Sequence, residues 1–226
     1  MDASRSEGTS RRRYEDACAV AHGLDLVGER WALLVMRELM FGPRRFSDLR
    51  AALPGISANV LAQRLAGLEE TGVLHRRRLP PPASAQVYEL TEWGYEIEPV
   101  LRALGRWAAR SPGHDPSLPI STVSLLLSLR TMFSGDHAAG LSARIALRLG
   151  AERYACGIAG GRITVAADPG DAADLVLEAA PAIIAALIYG GQPAEALEEA
   201  GLLNVEGDRA LLARFVTLFP LPPKAG

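Results

Sequence analysis

Between Ser57 and Leu90 the hydrophobic period of the chain changes once, and that change constrains the fold more than any other feature of the 226 residues. Leu61, Leu65 and Leu68 recur at helical spacing, with Ser57 placed as an N-cap and Thr71-Gly72 as the stop. The next runs, VLHRRRL at 73–79 and QVYEL at 86–90, are joined by Pro80, Pro81, Pro82 and a tip of small residues. They read as two strands of a stiff hairpin, with Arg76, Arg77 and Arg78 expected at its base.

Two more helices precede this pair. In GERWALLVMRELMF, Trp31, Leu34, Val35 and Leu39 form an amphipathic stripe that Gly42-Pro43 ends. Phe46, Leu49 and Leu53 mark a short second helix, with Ser47 and Asp48 near its positive end and Pro54-Gly55 as the turn. On the third helix, at about 100° per residue, Asn59 and Gln63 project about 160° and 200° from Leu61, beside Ala62 and Ala66. That face is polar, small and uncharged, as suits a helix that enters the major groove, since Asn and Gln pair bidentately with adenine. Taken alone, Asn59 and Gln63 read as merely solvent-facing. With the basic hairpin behind them, the three helices read as a winged helix.

Charge agrees with this. The stretch from Arg30 to Arg78 holds nine arginines against Glu38, Asp48, Glu69 and Glu70, although the whole chain carries a net charge of −2. Clustered cations matter to a phosphate partner more than overall charge does.

After the hairpin, Thr91 opens a helix whose stripe runs through Ile97, Val100, Leu101, Leu104, Trp107 and Ala108, with Pro99 expected to kink it. Part of that stripe is expected to face a second subunit, together with the helix that contains Cys18 and Leu24; ordinary core packing is the alternative. SPGHDPSLP at 111–119 has the composition of a linker. It separates a first domain, 14–110, from a second, 120–221, and residues 1–13 read as a disordered polar tail.

In the second half, Thr122 to Phe133 reads as a helix. Strands follow at 142–149, 154–159, 162–166 and 174–179, with a Gly160-Gly161 turn. Pro181 and Pro193 open two helices, and NVEGD leads into a last helix carrying Leu211, Leu212, Phe215 and Phe219. Helices and strands in separate runs suggest an α+β domain with helices on one side of an antiparallel sheet.

Two resemblances sharpen these readings. The run from Cys18 through Trp31, Gly42-Pro43-Arg44-Arg45-Phe46, Ile56-Ser57 and Leu68-Glu69 to Leu90-Thr91 resembles the HxlR-type winged-helix transcriptional regulators. The resemblance implies a homodimer that binds an inverted-repeat operator in double-stranded DNA. It places Ser57, Asn59, Ala62 and Gln63 toward bases and Arg44, Arg45, Arg64, Arg76, Arg77 and Arg78 toward phosphates. Cys18 stands where these regulators usually have a cysteine, but Ala19 replaces the proline often found after it, and Asn59 stands where a basic residue is common. Residues 140 to 219 are similar to the sterol-carrier-protein type of lipid-binding domain, through the Gly-Gly hairpin and the Gly-x-Leu-x-Val-x-Gly-Asp element. That similarity implies an apolar tunnel, with Leu126, Leu129, Phe133, Ile184, Leu187, Ile188 and Phe215 around a small apolar ligand; an ordinary core would use the same residues.

The expected fold is therefore an N-terminal winged helix, mainly α with a β-hairpin wing, followed by an α+β sterol-carrier-protein-like domain. The expected function is ligand-responsive transcription regulation. One alternative is a redox or electrophile sensor acting through Cys18, and another is a lipid or metabolite carrier without regulatory DNA binding. No apolar run is long enough to span a membrane, and the N-terminus has no signal-peptide core, so a cytoplasmic protein is expected. Two cysteines, scattered histidines and the lack of HExxH, GxSxG or a phosphate-binding glycine loop give no expectation of an enzyme, a metal or a cofactor.

Overall fold

The computed structural model describes residues 14–168, 170 and 172–226; the tail expected at 1–13 lies outside the described residues. They form two compact units, one of residues up to 36 and 43–94, the other of residues 37–42 and 95–226. The units thus divide after Gly94 and not within the proline-rich segment 111–119.

In the first unit, α1 (Ala19–Val27), α2 (Ala32–Glu38), α3 (Phe46–Ala52) and α4 (Ala58–Glu70) lead into an antiparallel hairpin of β1 (Leu74–Arg78) and β2 (Gln86–Leu90). The single turn α5 (Glu92–Tyr95) follows. Leu49, Leu53, Leu61, Leu65, Leu68, Leu74, Val87 and Leu90 are all buried, so the leucine face of α4 does bury as its period dictates.

Three expectations need correction here. Trp31 is not on the α2 stripe: it sits at φ +80°, and its carbonyl accepts the Val35 amide at 2.8 Å, so it precedes the helix. The buried set is Ala32, Val35, Met36 and Leu39, while Leu34 is exposed. The segment is apolar enough that two stripes one residue apart both match the helical period. On the hairpin, Leu74 pairs with Leu90 at the base and Arg78 with Gln86 at the far end, so the arginines occupy the outer half, not the base. The base must be apolar because Leu74 and Leu90 are buried there.

The helix expected from Thr91 is broken in two. The Thr91 hydroxyl accepts the Gly94 amide at 3.0 Å and donates to the Gly72 carbonyl at 2.9 Å, which closes α5. A Cβ on Gly94 would lie 2.1 Å from the Val73 carbonyl oxygen, so glycine alone fits that approach. A new helix, α6 (Glu98–Ala109), then begins with Pro99 in its first turn, where the missing amide costs nothing and no kink results.

The second unit contains α6, α7 (Thr122–Met132) and strands β3 (Ala143–Leu149), β4 (Glu152–Ala159), β5 (Arg162–Ala167) and β6 (Leu175–Ala179). It continues through α8 (Pro181–Ile188), α9 (Ala194–Glu199), β7 (Leu203–Gly207) and α10 (Arg209–Phe215). NVEGD is therefore largely a strand, which buries Val205 as well as the preceding Leu203. Sheet order is β5-β4-β3-β6-β7, and the sheet is mixed, because β3 and β6 run parallel. Arg144 of β3 holds both ends of the connection from β5 to β6: its amide donates to the Asp174 carboxylate at 2.8 Å and its guanidinium to Asp168 at 2.6 Å.

Alternate residues of the strands, among them Ile145, Leu147, Tyr154, Cys156, Leu175 and Leu177, share one core with α7, α8 and α10. Residues 37–42 join this unit through Phe41, whose ring meets Tyr154 edge-on at 6.0 Å and lies 4.7 Å from the Arg130 guanidinium. Glu38, buried, accepts bonds from Arg37 at 2.9 Å and from the Ser121 hydroxyl at 2.8 Å. Among the described residues no helix is long and apolar enough to cross a membrane.

Candidate nucleic-acid interface

The Ser57 hydroxyl accepts the Val60 amide at 3.2 Å, fixing where α4 starts. From that start, Leu61, Leu65 and Leu68 turn inward, and Asn59, Ala62 and Gln63 are exposed. The uncharged face expected on the third helix is thus a surface. Arg45 is exposed at the head of α3, where its amide donates to the Asp48 carboxylate at 3.3 Å. Arg44 is half-buried and exchanges backbone bonds with Tyr88, of 3.0 Å and 2.8 Å, which adds a short bridge to the hairpin.

The remaining arginines are engaged inside the unit. Arg64 is turned to Glu29 at 3.1 Å with its side chain mostly buried. Arg76 donates to Glu69 of α4 at 3.0 Å, and this bond raises its guanidinium above the usual arginine range. Arg77 bonds Glu89 of β2, and Arg78 donates to the Ser84 carbonyl at 3.2 Å. Arg76, Arg77, Arg78, Ser84 and Gln86 line an open groove of about 440 Å³ along the hairpin. Glu29, Glu69 and Glu89 are the partners of these arginines, a pairing that the sequence reading did not give. For Glu89 the signal was its place in QVYEL opposite His75; for Glu69, seven residues before Arg76 across a turn, there was none.

A second uncovered surface lies on α6. Val100, Leu104 and Trp107 are 53%, 43% and 72% exposed, whereas Leu101 is buried. The polar side of the helix is bound to α7 instead. Arg102 donates to the Arg130 carbonyl at 2.6 Å and Arg106 to the Thr131 carbonyl at 2.9 Å, and Arg130 donates to Glu98 at 2.7 Å. The end of α6 is capped as well, since Lys224 donates to the carbonyl of Ala109, its last residue, at 3.1 Å and to that of Ser111 just beyond it at 3.0 Å.

The seven apolar residues expected around a ligand come together in one cluster: Leu126, Leu129, Ile184, Leu187, Ile188 and Phe215 are buried, and Phe133 is packed against them. None of them lines the hairpin groove or a second open groove of about 680 Å³, which borders Ser142, Arg144, Arg162, Thr164 and Asp174. Within the same domain, Tyr189 and Ser128 share a hydrogen bond of 2.9 Å, and burial holds the phenol above its ordinary range.

The two thiols differ in kind. Cys156 is fully buried, and burial pushes its thiol up to about 12, only partly offset by the charge of Arg130. Cys18 is exposed just before α1, and its amide donates to the Asp16 carboxylate at 2.9 Å.

Three helices, the last with a polar outer face, followed by a hairpin basic along its outer half, define a winged helix-turn-helix protein. Residues 26–115 match the family described as HxlR-like helix-turn-helix. The uncharacterized HTH-type transcriptional regulator sll1512 of Synechocystis sp. is 42% identical over 87 residues, which is 38% of this chain and 64% of that protein, just under two thirds of its length. The uncharacterized HTH-type transcriptional regulator YvaP of Bacillus subtilis is 38% identical over 85 residues, 38% of this chain and 79% of that protein. The chain belongs to the HxlR-like helix-turn-helix family. It is also similar to the reduced form of the transcriptional regulator YodB from B. subtilis, at 32% identity and a TM-score of 0.39, over 44% of this chain and 100% of that one.

Proposed function

We propose that the protein is a homodimeric transcriptional regulator that binds an inverted-repeat operator through α4 and the hairpin. In this reading its second domain, similar to sterol-carrier-protein lipid-binding domains, tunes that binding by taking up a small apolar molecule. The observation that carries the DNA reading is the exposure of Asn59, Ala62 and Gln63 on the capped helix α4 beside the arginines of the hairpin. Ser57, Asn59, Ala62 and Gln63 face bases; Arg44, Arg45, Arg76, Arg77 and Arg78, with Arg64 once released from Glu29, face phosphates.

The exposed row Val100, Leu104 and Trp107 on α6 supports a dimer, because so large an apolar helix face is costly to leave in water. Two copies would set their α4 helices at half-sites about 34 Å apart or a multiple of that distance. A ligand in the second domain regulates only if its affinity differs between states of different spacing. The candidate walls are Leu126, Leu129, Phe133, Ile184, Leu187, Ile188 and Phe215.

The test is a fluorescence-anisotropy titration of a duplex from the region upstream of the protein's own gene, against a scrambled duplex and across salt. Tight, salt-dependent and sequence-selective binding is expected; its absence would favour the carrier reading. Mass spectrometry of an organic extract of the purified protein tests the ligand. One further reading keeps the DNA contact but makes Cys18 the sensor, favoured by its exposure. Cys18→Ser separates the two, because a thiol sensor loses its response to oxidants and a pocket sensor does not.

A further inference from the structure

We infer that Glu69 and Glu89 are built-in competitors for the arginines of the hairpin, and that they lower affinity for DNA of every sequence so that α4 decides where the protein binds. The inference rests on the DNA-binding reading of α4 and the hairpin, and goes beyond it.

Arg76 and Arg77 lie next to each other on β1, so their side chains leave opposite faces of the strand. Each face meets its own carboxylate. Glu69, in the last turn of α4, takes the Nε–H of Arg76 at 3.0 Å. Glu89, on β2, takes the Nε–H of Arg77 and lies 3.7 Å from the ring of its cross-strand partner His75. Both arginines are exposed and both glutamates half-buried, and pairs so open to water add little to folding stability.

Their effect on a polyanion is larger. A guanidinium already bonded to a carboxylate offers a phosphate a nearly neutral pair; its terminal N–H groups can still donate, but the carboxylate's charge opposes the approach of the phosphate and weakens the bond. Two of the three hairpin arginines are held in this way, and the third donates to a neutral carbonyl, that of Ser84. The sequence-independent part of DNA affinity is correspondingly small. What remains comes from the other arginines, Arg44, Arg45 and Arg78, and from the uncharged outer face of α4, and only that face discriminates between bases.

The experiment uses the full chain with Glu69→Gln, Glu89→Gln and, as a control, Glu70→Gln, which removes an exposed charge one residue along α4. Binding to a mixed-sequence duplex of about three helical turns is measured by anisotropy from 50 to 300 mM salt, with circular dichroism to confirm the fold. E69Q and E89Q should each bind about two- to fivefold tighter at low salt, the range expected from one exposed ion pair, and steepen the salt slope by up to about 0.9. E70Q should change affinity by less than either.

Weaker or unchanged binding by E69Q and E89Q would overturn the inference, since the carboxylates would then be holding the arginines in their docking pose. Equal tightening by E70Q would also overturn it, because general charge and not pairing would be the cause. Those failures leave wild-type binding intact. If the wild-type chain shows no salt-dependent binding to any duplex, the DNA reading itself fails and takes this inference with it.

Discussion

Helices α4 and α7 are similar in length and both rich in leucine, yet one is half uncovered and the other is enclosed. Along α4 only Leu61, Leu65 and Leu68 are buried, and the opposite side carries Asn59, Ala62 and Gln63 in solvent. Along α7, Val123, Leu125, Leu126, Leu127, Leu129 and Met132 are all buried, and even Ser128 is occupied with Tyr189. A helix with one apolar stripe and a small, uncharged reverse is available to a partner; a helix apolar nearly all round is scaffold. The contrast is one of exposure: α4 offers a surface, and α7 is taken up by the core of its own unit.

The sharpest way to break this comparison is to carve into the enclosed side. Phe215→Ala should cost about 3–5 kcal/mol in a urea titration, the usual price of emptying a filled aromatic site. A much smaller loss, or recovery of stability on adding an apolar compound, would mean that the cluster around α7 already holds space for a guest.

Next in size is the response to alkali. Cys156 and Tyr189 are both held above their ordinary ranges by burial, so their contribution is intact below the ordinary thiol and phenol values, about 8.5 and 10, and is lost progressively as pH rises from there toward the raised ones, about 12 for the thiol. Denaturation midpoints should therefore fall above about pH 9. A thiol reagent at pH 8 should label Cys18 quickly and Cys156 only after unfolding; rapid labelling of both would show that the interior opens.

On the open side, Gln63→Ala should reduce discrimination between operator and scrambled duplex by about 1–3 kcal/mol while leaving stability within about 0.5 kcal/mol. A competition titration with unchanged preference would remove Gln63 from the reading face. The smallest effect is expected from Ser57→Ala, a loss of about 1 kcal/mol of stability from the missing cap, measured by thermal unfolding.

Much of this was legible from residue order. Ser57 to Gly72 carries its cap, period and stop within the segment, so local chemistry sufficed. Pro80 to Pro82 and Gly160-Gly161 marked both hairpins for the same reason. What escaped depended on distant partners. Trp31 left its stripe because Ala32, Val35, Met36 and Leu39 offer an equally good one. The parallel pairing of β3 with β6 depends on where the chain crosses, which no local period records. At the interface, the exposure of Asn59 and Gln63 followed from helical geometry, whereas the engagement of Arg64, Arg76 and Arg77 came from Glu29, Glu69 and Glu89, residues whose nearness only folding creates.

Phe41 stands early in the chain but leans on Tyr154, more than a hundred residues later. A gene shortened after the proline-rich segment would therefore release a protein whose Phe41 ring has lost Tyr154 and Arg130 and whose Glu38 keeps Arg37 as a partner but loses Ser121, a patch that favours aggregation.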